Sequence, residues 1–105
     1  MDAEHVVVIT TTDSEAAARE LAAGVVAGRL GACAQIIPIT SVYRWEGVVR
    51  TEPEWRLEIK TVAGRADALI EYLAAMHGYD VPEIVVVQVA GGSAAYLSWV
   101  SEETS

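Results

Sequence analysis

The chain has 105 residues, 52% of them hydrophobic, which suffices for one domain over residues 1–105 and leaves no room for a second. Fifteen acidic against seven basic residues give a formal net charge of −8. That balance argues against nucleic acid, whose binding needs basic surface to replace counterions, and against an anionic membrane surface.

His5 to Thr12 is predicted as the first strand, because Val6, Val7, Val8 and Ile9 form a β-branched run. Thr12 with Glu15 makes a capping-box signature, and a helix follows from Ser14 to Leu30. Ala17, Leu21 and Val25 recur on one helical face, widened by Ala18, Ala22 and Val26. Gly24 and Gly28 cost this helix about 1 kcal/mol each relative to Ala, which predicts close packing on a sheet. Gly31 is the stop signal.

Ala32 to Glu46 is predicted to be extended, with Pro38 marking a bulge or an edge. Glu46-Gly47 is a turn, and Val48 to Val62 returns as a long strand. Trp55, Leu57, Ile59 and Thr61 face one way along it; Glu54, Arg56, Glu58 and Lys60 face the other. Pro53 marks another edge or break. Gly64 to His77 carries Ala66, Leu69, Ile70, Leu73 and Met76 at helical spacing, and Gly78 ends it. Glu83 to Ala90 is the fourth strand; Ser93 caps a short final helix bearing Tyr96, Leu97 and Val100. The order βαββαβ plus a C-terminal helix predicts an α+β, ferredoxin-like sandwich with two helices on one face of an antiparallel sheet.

The central hairpin is too long for this sheet. Its arms run about fifteen residues against about eight in the first strand, so some 20 Å of hairpin overhangs. Val42, Tyr43, Trp45, Val48 and Val49 lie in the overhang. An apolar ribbon standing alone is only marginally stable and exposes its edges, so a homo-oligomer closed through strand edges is expected.

No phosphate loop, dinucleotide fingerprint, nucleophile elbow or zinc-protease motif is present. The soft candidate ligands are Cys33, His5 and His77, with the thioethers Met1 and Met76. A preformed zinc-type site takes about four ligands, a number one chain does not supply convincingly and a site shared between subunits can reach. Each candidate also has a plain structural reading. Cys33 is a small buried hydrophobe, His77 a cation at a helix C-terminus, and Lys60 a solvated end to a charged strand face. Glu54 and Glu58, interleaved with Arg56 and Lys60, read as cross-strand salt-bridge partners. The loop His77-Gly78-Tyr79-Asp80-Val81-Pro82-Glu83 is densest in functional side chains, and its spacing fits either a site or a stiff turn. The single cysteine excludes an internal disulfide and points to a reducing compartment. Met1-Asp2-Ala3-Glu4 has no positive n-region, so no signal peptide is expected. The apolar stretch Ile84 to Ala90 falls far short of a membrane span.

Three segments taken together resemble the CutA family, the divalent-cation tolerance proteins. They are Ala32-Cys33-Ala34-Gln35-Ile36-Ile37-Pro38, Ser41-Val42-Tyr43-Arg44-Trp45-Glu46-Gly47 followed by Glu58-Ile59-Lys60-Thr61, and His77 through Ile84. Tyr96-Leu97-Ser98-Trp99 also fits. The resemblance implies a ferredoxin-like homotrimer, similar in architecture to the PII signalling proteins, with long hairpins paired across subunits. It implies a cytoplasmic role in tolerance of divalent metal, with copper or another divalent cation bound and no catalysis. By position it implies Cys33 and His77 as metal ligands and Lys60, Tyr79, Glu83, Tyr43 and Trp45 at a subunit cleft. A second expectation is a PII-like sensor of a small anionic metabolite or nucleotide between subunits, with Lys60 and Arg44 as anion contacts.

Overall fold

The computed structural model describes residues 4–105; Met1 lies outside them. Strands β1 (His5–Thr12), β2 (Cys33–Trp45), β3 (Val48–Val62) and β4 (Ile84–Gln88) form one antiparallel sheet in the order β2-β3-β1-β4. Helices α1 (Glu15–Ala27), α2 (Ala66–Met76) and α3 (Ala94–Glu103) complete the α+β fold, which is the ferredoxin-like one.

The alternation of β3 selects the core face. Register from His5↔Val62 to Thr12↔Trp55 aligns Trp55, Leu57, Ile59 and Thr61 with Val6, Val8, Thr10 and Thr12. Leu57, Ile59 and Val8 are fully buried there against Val25 of α1 and Leu69 and Leu73 of α2. The other face carries Glu54, Arg56, Glu58 and Lys60 and is free of α1 and α2. At the end of the sheet remote from the hairpin turn, α3 is held by side chains from elsewhere. His5 Nε2 lies 2.9 Å from the Leu97 carbonyl, Arg29 donates to the Glu102 and Ser105 carbonyls, and Arg65 donates to that of Thr104.

Several boundaries differ from the sequence reading, each for a local reason. The cap of α1 is Ser14, whose hydroxyl accepts from the Ala17 N–H at 3.1 Å; Thr12 instead donates to the Ser14 carbonyl. The helix ends at Ala27 rather than Leu30, because Arg29 turns into the left-handed region at φ 58°. Gly24 packs on α2 and not on the sheet: a Cβ there would stand 2.0 Å from the Tyr72 hydroxyl. Gly31 is the residue that meets the sheet, where a Cβ would come within 2.5 Å of Ile59 Cγ2. Gly64 falls in a 3₁₀ turn, Ala63–Arg65, that precedes α2.

Neither proline breaks the ladder. Pro38 pairs with Trp55 without a bulge, since β2 is an edge strand. Pro53 pairs with Thr40 beyond the end of β1, so β3 has no second neighbour there. From that point residues 48–54 pair only with residues 39–45, an overhang of about 20 Å at roughly 3.3 Å per residue.

Candidate functional site

Where the hairpin leaves the sheet, its odd-numbered β2 residues and even-numbered β3 residues share the face opposite α1 and α2. The chain returning from α2 to β4 passes the same place. Between them lies an open groove of about 590 Å³, lined by Tyr43, Trp45, Arg50, Glu54, Tyr79 and Glu83 among others.

The far wall is held by His77. Its Nδ1 accepts from the Tyr79 N–H at 3.1 Å, so the ring proton sits on Nε2, which donates to the Thr11 carbonyl at 2.7 Å. The ring also lies 4.8 Å from that of Tyr79, tilted by 50°. This clip turns the Tyr79 phenol to Glu54, where the hydroxyl donates to Oε2 at 2.8 Å. Burial and the Glu54 carboxylate push the Tyr79 phenol well above its ordinary value. On the near wall Tyr43 donates to Glu52 Oε1 at 2.6 Å, and that bond, with some burial, raises the Tyr43 phenol as well.

Four of the five residues expected at a cleft, Tyr43, Trp45, Tyr79 and Glu83, therefore meet in one groove. Lys60 does not. It faces Cys33 in register at the other end of β3 and donates to the Gln35 side-chain carbonyl. Arg44 lies between Tyr43 and Trp45 in β2 and so points away from their face.

The candidate metal ligands are scattered. Cys33 is a free, half-buried thiol at the start of β2. It sits beside the Tyr96 hydroxyl, which burial and then Cys33 push up. Cys33 is aligned through Lys60 with Val7, whereas His77 is bonded to Thr11 four residues further along β1, about 13 Å away. His5 is engaged with Leu97 and Ser101. Met76 is exposed beside His77 on a recess of about 150 Å³. Among the described residues no three His, Cys, Asp or Glu side chains come together to hold a metal ion. The described residues of one chain therefore do not by themselves fit a metal centre.

Sequence reasoning missed Glu54 and Arg50 as groove residues. Glu54 looked like a salt-bridge partner, but Arg56 pairs with Glu58 at 3.1 Å and leaves Glu54 to Tyr79. The available signal was length: Glu54 falls just past the end of β1, where a returning loop can reach it.

These features define a small ferredoxin-like α+β domain with an aromatic and carboxylate-lined groove beside an overhanging hairpin. Its family follows from comparison with known proteins. The family model described as CutA1 divalent ion tolerance protein matches residues 6–103, and the chain belongs to that family. It is 43% identical over 99 residues to the divalent-cation tolerance protein CutA of Citrobacter koseri, covering 93% of this chain and 86% of that protein. It is 42% identical over 100 residues to the chloroplastic protein CutA 1 of Oryza sativa, covering 94% of this chain and 56% of the rice protein. Among solved structures, CutA from Synechococcus elongatus superposes with a TM-score of 0.95 at 36% identity, covering 98% of this chain and 92% of that one. The divalent cation tolerance protein of Thermus thermophilus gives 0.92 at 42% identity, covering 96% and 99%. The family is named for divalent-ion tolerance and not for a reaction.

Proposed function

We propose that the chain acts as a homotrimer in the cytoplasm that binds divalent cations, copper among them, without catalysis. The observation that carries this reading is the hairpin overhang, with Val42, Val48 and Val49 exposed, in a chain of a divalent-ion tolerance family. An assembly also supplies what one chain lacks. Cys33 and His77 are the proposed ligands, and they lie too far apart in one chain to share an ion, so the site draws on more than one chain. The cytoplasmic assignment rests on the single free thiol.

Calorimetric titration with Cu(II) of the intact protein, beside Cys33→Ala, His77→Ala and the double variant, tests the site. The expected result is saturable binding at an integral or one-third ratio per chain, lost in Cys33→Ala. In His77→Ala binding is weakened, because a metal on Nδ1 must displace the Tyr79 N–H. Binding unchanged in the double variant overturns the named site and leaves only the acidic surface.

A second reading is favoured by the groove itself: a small molecule held beside the hairpin. Its supporting observation is that Tyr43, Trp45, Tyr79 and Glu83 converge on one cavity. Lys60 and Arg44, the expected anion contacts, are both outside its lining.

A further inference from the structure

Helix α3 is attached to the fold differently from the other two helices. Helix α1 buries Ala18, Leu21 and Val25, and α2 buries Leu69 and Leu73, whereas α3 buries Val100 alone. One buried valine is a weak hold on a helix of ten residues. The rest of the attachment is a set of clasps from three other places in the chain. His5 of β1 donates from Nε2 to the Leu97 carbonyl at 2.9 Å, with the Ser101 hydroxyl at the same distance. Arg29, just after α1, donates to the Glu102 and Ser105 carbonyls, and both bonds are exposed. Arg65, in the 3₁₀ turn, donates to the Thr104 carbonyl. An element with little buried apolar surface and solvent-exposed bonds opens locally at far less cost than the whole fold. The chain entering α3 has no regular structure from Ala90 to Ser93, and a Cβ at Gly91 would meet nothing within 4 Å, so a hinge is available.

Beneath α3 lies the start of β2. Cys33, Lys60 and Val7 stand in register across β2, β3 and β1 on the face opposite α1 and α2, and His5 shares that face. The helix is bonded to His5 on one strand and brings the Tyr96 hydroxyl to the Cys33 thiol on another, so it lies across this face. Cys33 is half-buried there. A metal ion bonds a thiolate directly, with no other side chain between, so Tyr96 has to move aside before Cys33 Sγ can serve as a ligand. The clasps all lie within one chain, at the end of the sheet remote from the hairpin turn.

We propose that α3 is a hinged cover over Cys33, clasped by His5, Arg29 and Arg65, and that its opening sets how fast a metal ion reaches the thiol. The second half of this proposal rests on Cys33 being a metal ligand; the cover itself does not.

The test uses the intact protein, whose single cysteine makes alkylation by neutral iodoacetamide a report on Cys33 alone. The rate is followed by mass in the parent protein, Arg65→Ala, Arg29→Ala and Arg19→Ala, and the sedimentation mass of each is recorded. Arg19 is bonded to Glu15 on α1, so its variant loses the same charge without losing a clasp. Arg65→Ala should be alkylated about tenfold faster at unchanged assembly mass, since a part-buried bond from a charged donor is lost. Arg29→Ala, whose bonds are exposed, should show a smaller acceleration, and Arg19→Ala none. Stopped-flow mixing with Cu(II) should show binding accelerated in the same order. Clasp variants alkylated as slowly as the parent would overturn the cover. Acceleration only in variants that have dissociated would mean that a partner subunit shields Cys33, and would overturn it too. Faster alkylation with Cu(II) bound at one rate by all four proteins would overturn the control of metal access. Faster alkylation with no Cu(II) bound by any of them would overturn the metal-ligand reading of Cys33, and that control with it, while the cover stands.

Discussion

The tyrosines show how single residues here depend on neighbours far off in sequence. Tyr79 sits in a loop, yet its phenol is fixed by Glu54 at one end and its backbone by His77 at the other. Tyr43 and Tyr96 are likewise raised, by Glu52 and by burial respectively. A folded-state phenol held above its ordinary value of 10.0 favours the protonated fold. Its contribution is complete below pH 10 and is lost as pH rises through the folded value. The thermal midpoint should therefore fall steeply as pH is raised beyond 10, and less steeply in Tyr79→Phe, which has no proton to lose. Identical slopes in the two proteins would show that Glu54 does not hold Tyr79 in solution. Residue roles of this kind were the least legible part of the sequence. Tyr79 and Glu83 stood out because the loop is dense in functional side chains. Glu54 was hidden, because nothing local distinguishes it from Glu58, and its role comes from a residue twenty-five positions later.

Elements were far more legible, because periodicity is a local property. The Glu46-Gly47 turn placed the start of β3 at Val48, and the alternation Trp55, Leu57, Ile59, Thr61 chose its core face. Boundaries slipped where long-range bonds compete with local signals. Strand β4 stops at Gln88 although apolar residues continue, since it follows β1 only from Val6↔Gln88 to Thr10↔Ile84. The end of α3 is another such place. Its last turn has no basic residue of its own, and its final carbonyls are satisfied by Arg29 and Arg65 from outside the helix. Hydrogen bonds from charged donors are worth about 1.5–3 kcal/mol when partly buried and less at the surface. Arg65→Ala, which removes the part-buried one, should speed amide exchange across Ala94–Glu103 while leaving β1 and β3 protected. Uniform loss of protection across the sheet would mean that α3 is part of the cooperative core and not a docked lid.

At the scale of the whole molecule, shape argues for partners. The radius of gyration is 14.2 Å, against about 12.9 Å for a compact chain of this length. The accessible surface is 6363 Å², against about 5,700 Å² for a monomer of its mass. The excess has an evident source in the overhang, where Val42 and Val49 are 66% and 60% exposed on one side of the ribbon. Two such strands with unpaired edges are an association surface in any solvent that penalises apolar exposure. Substitution at exposed positions costs the isolated fold only about 0.5 kcal/mol, so Val42→Lys with Val49→Lys should leave far-ultraviolet dichroism intact. In an assembly the same lysines would be buried without a partner, at several kcal/mol per charge. Sedimentation should then give a mass of three chains for the parent protein and of one for the double variant. A parent protein of single-chain mass at micromolar concentration would remove the argument from shape. An undissociated double variant would move the contact away from the hairpin, to the exposed Val85, Val86 and Val87 of β4.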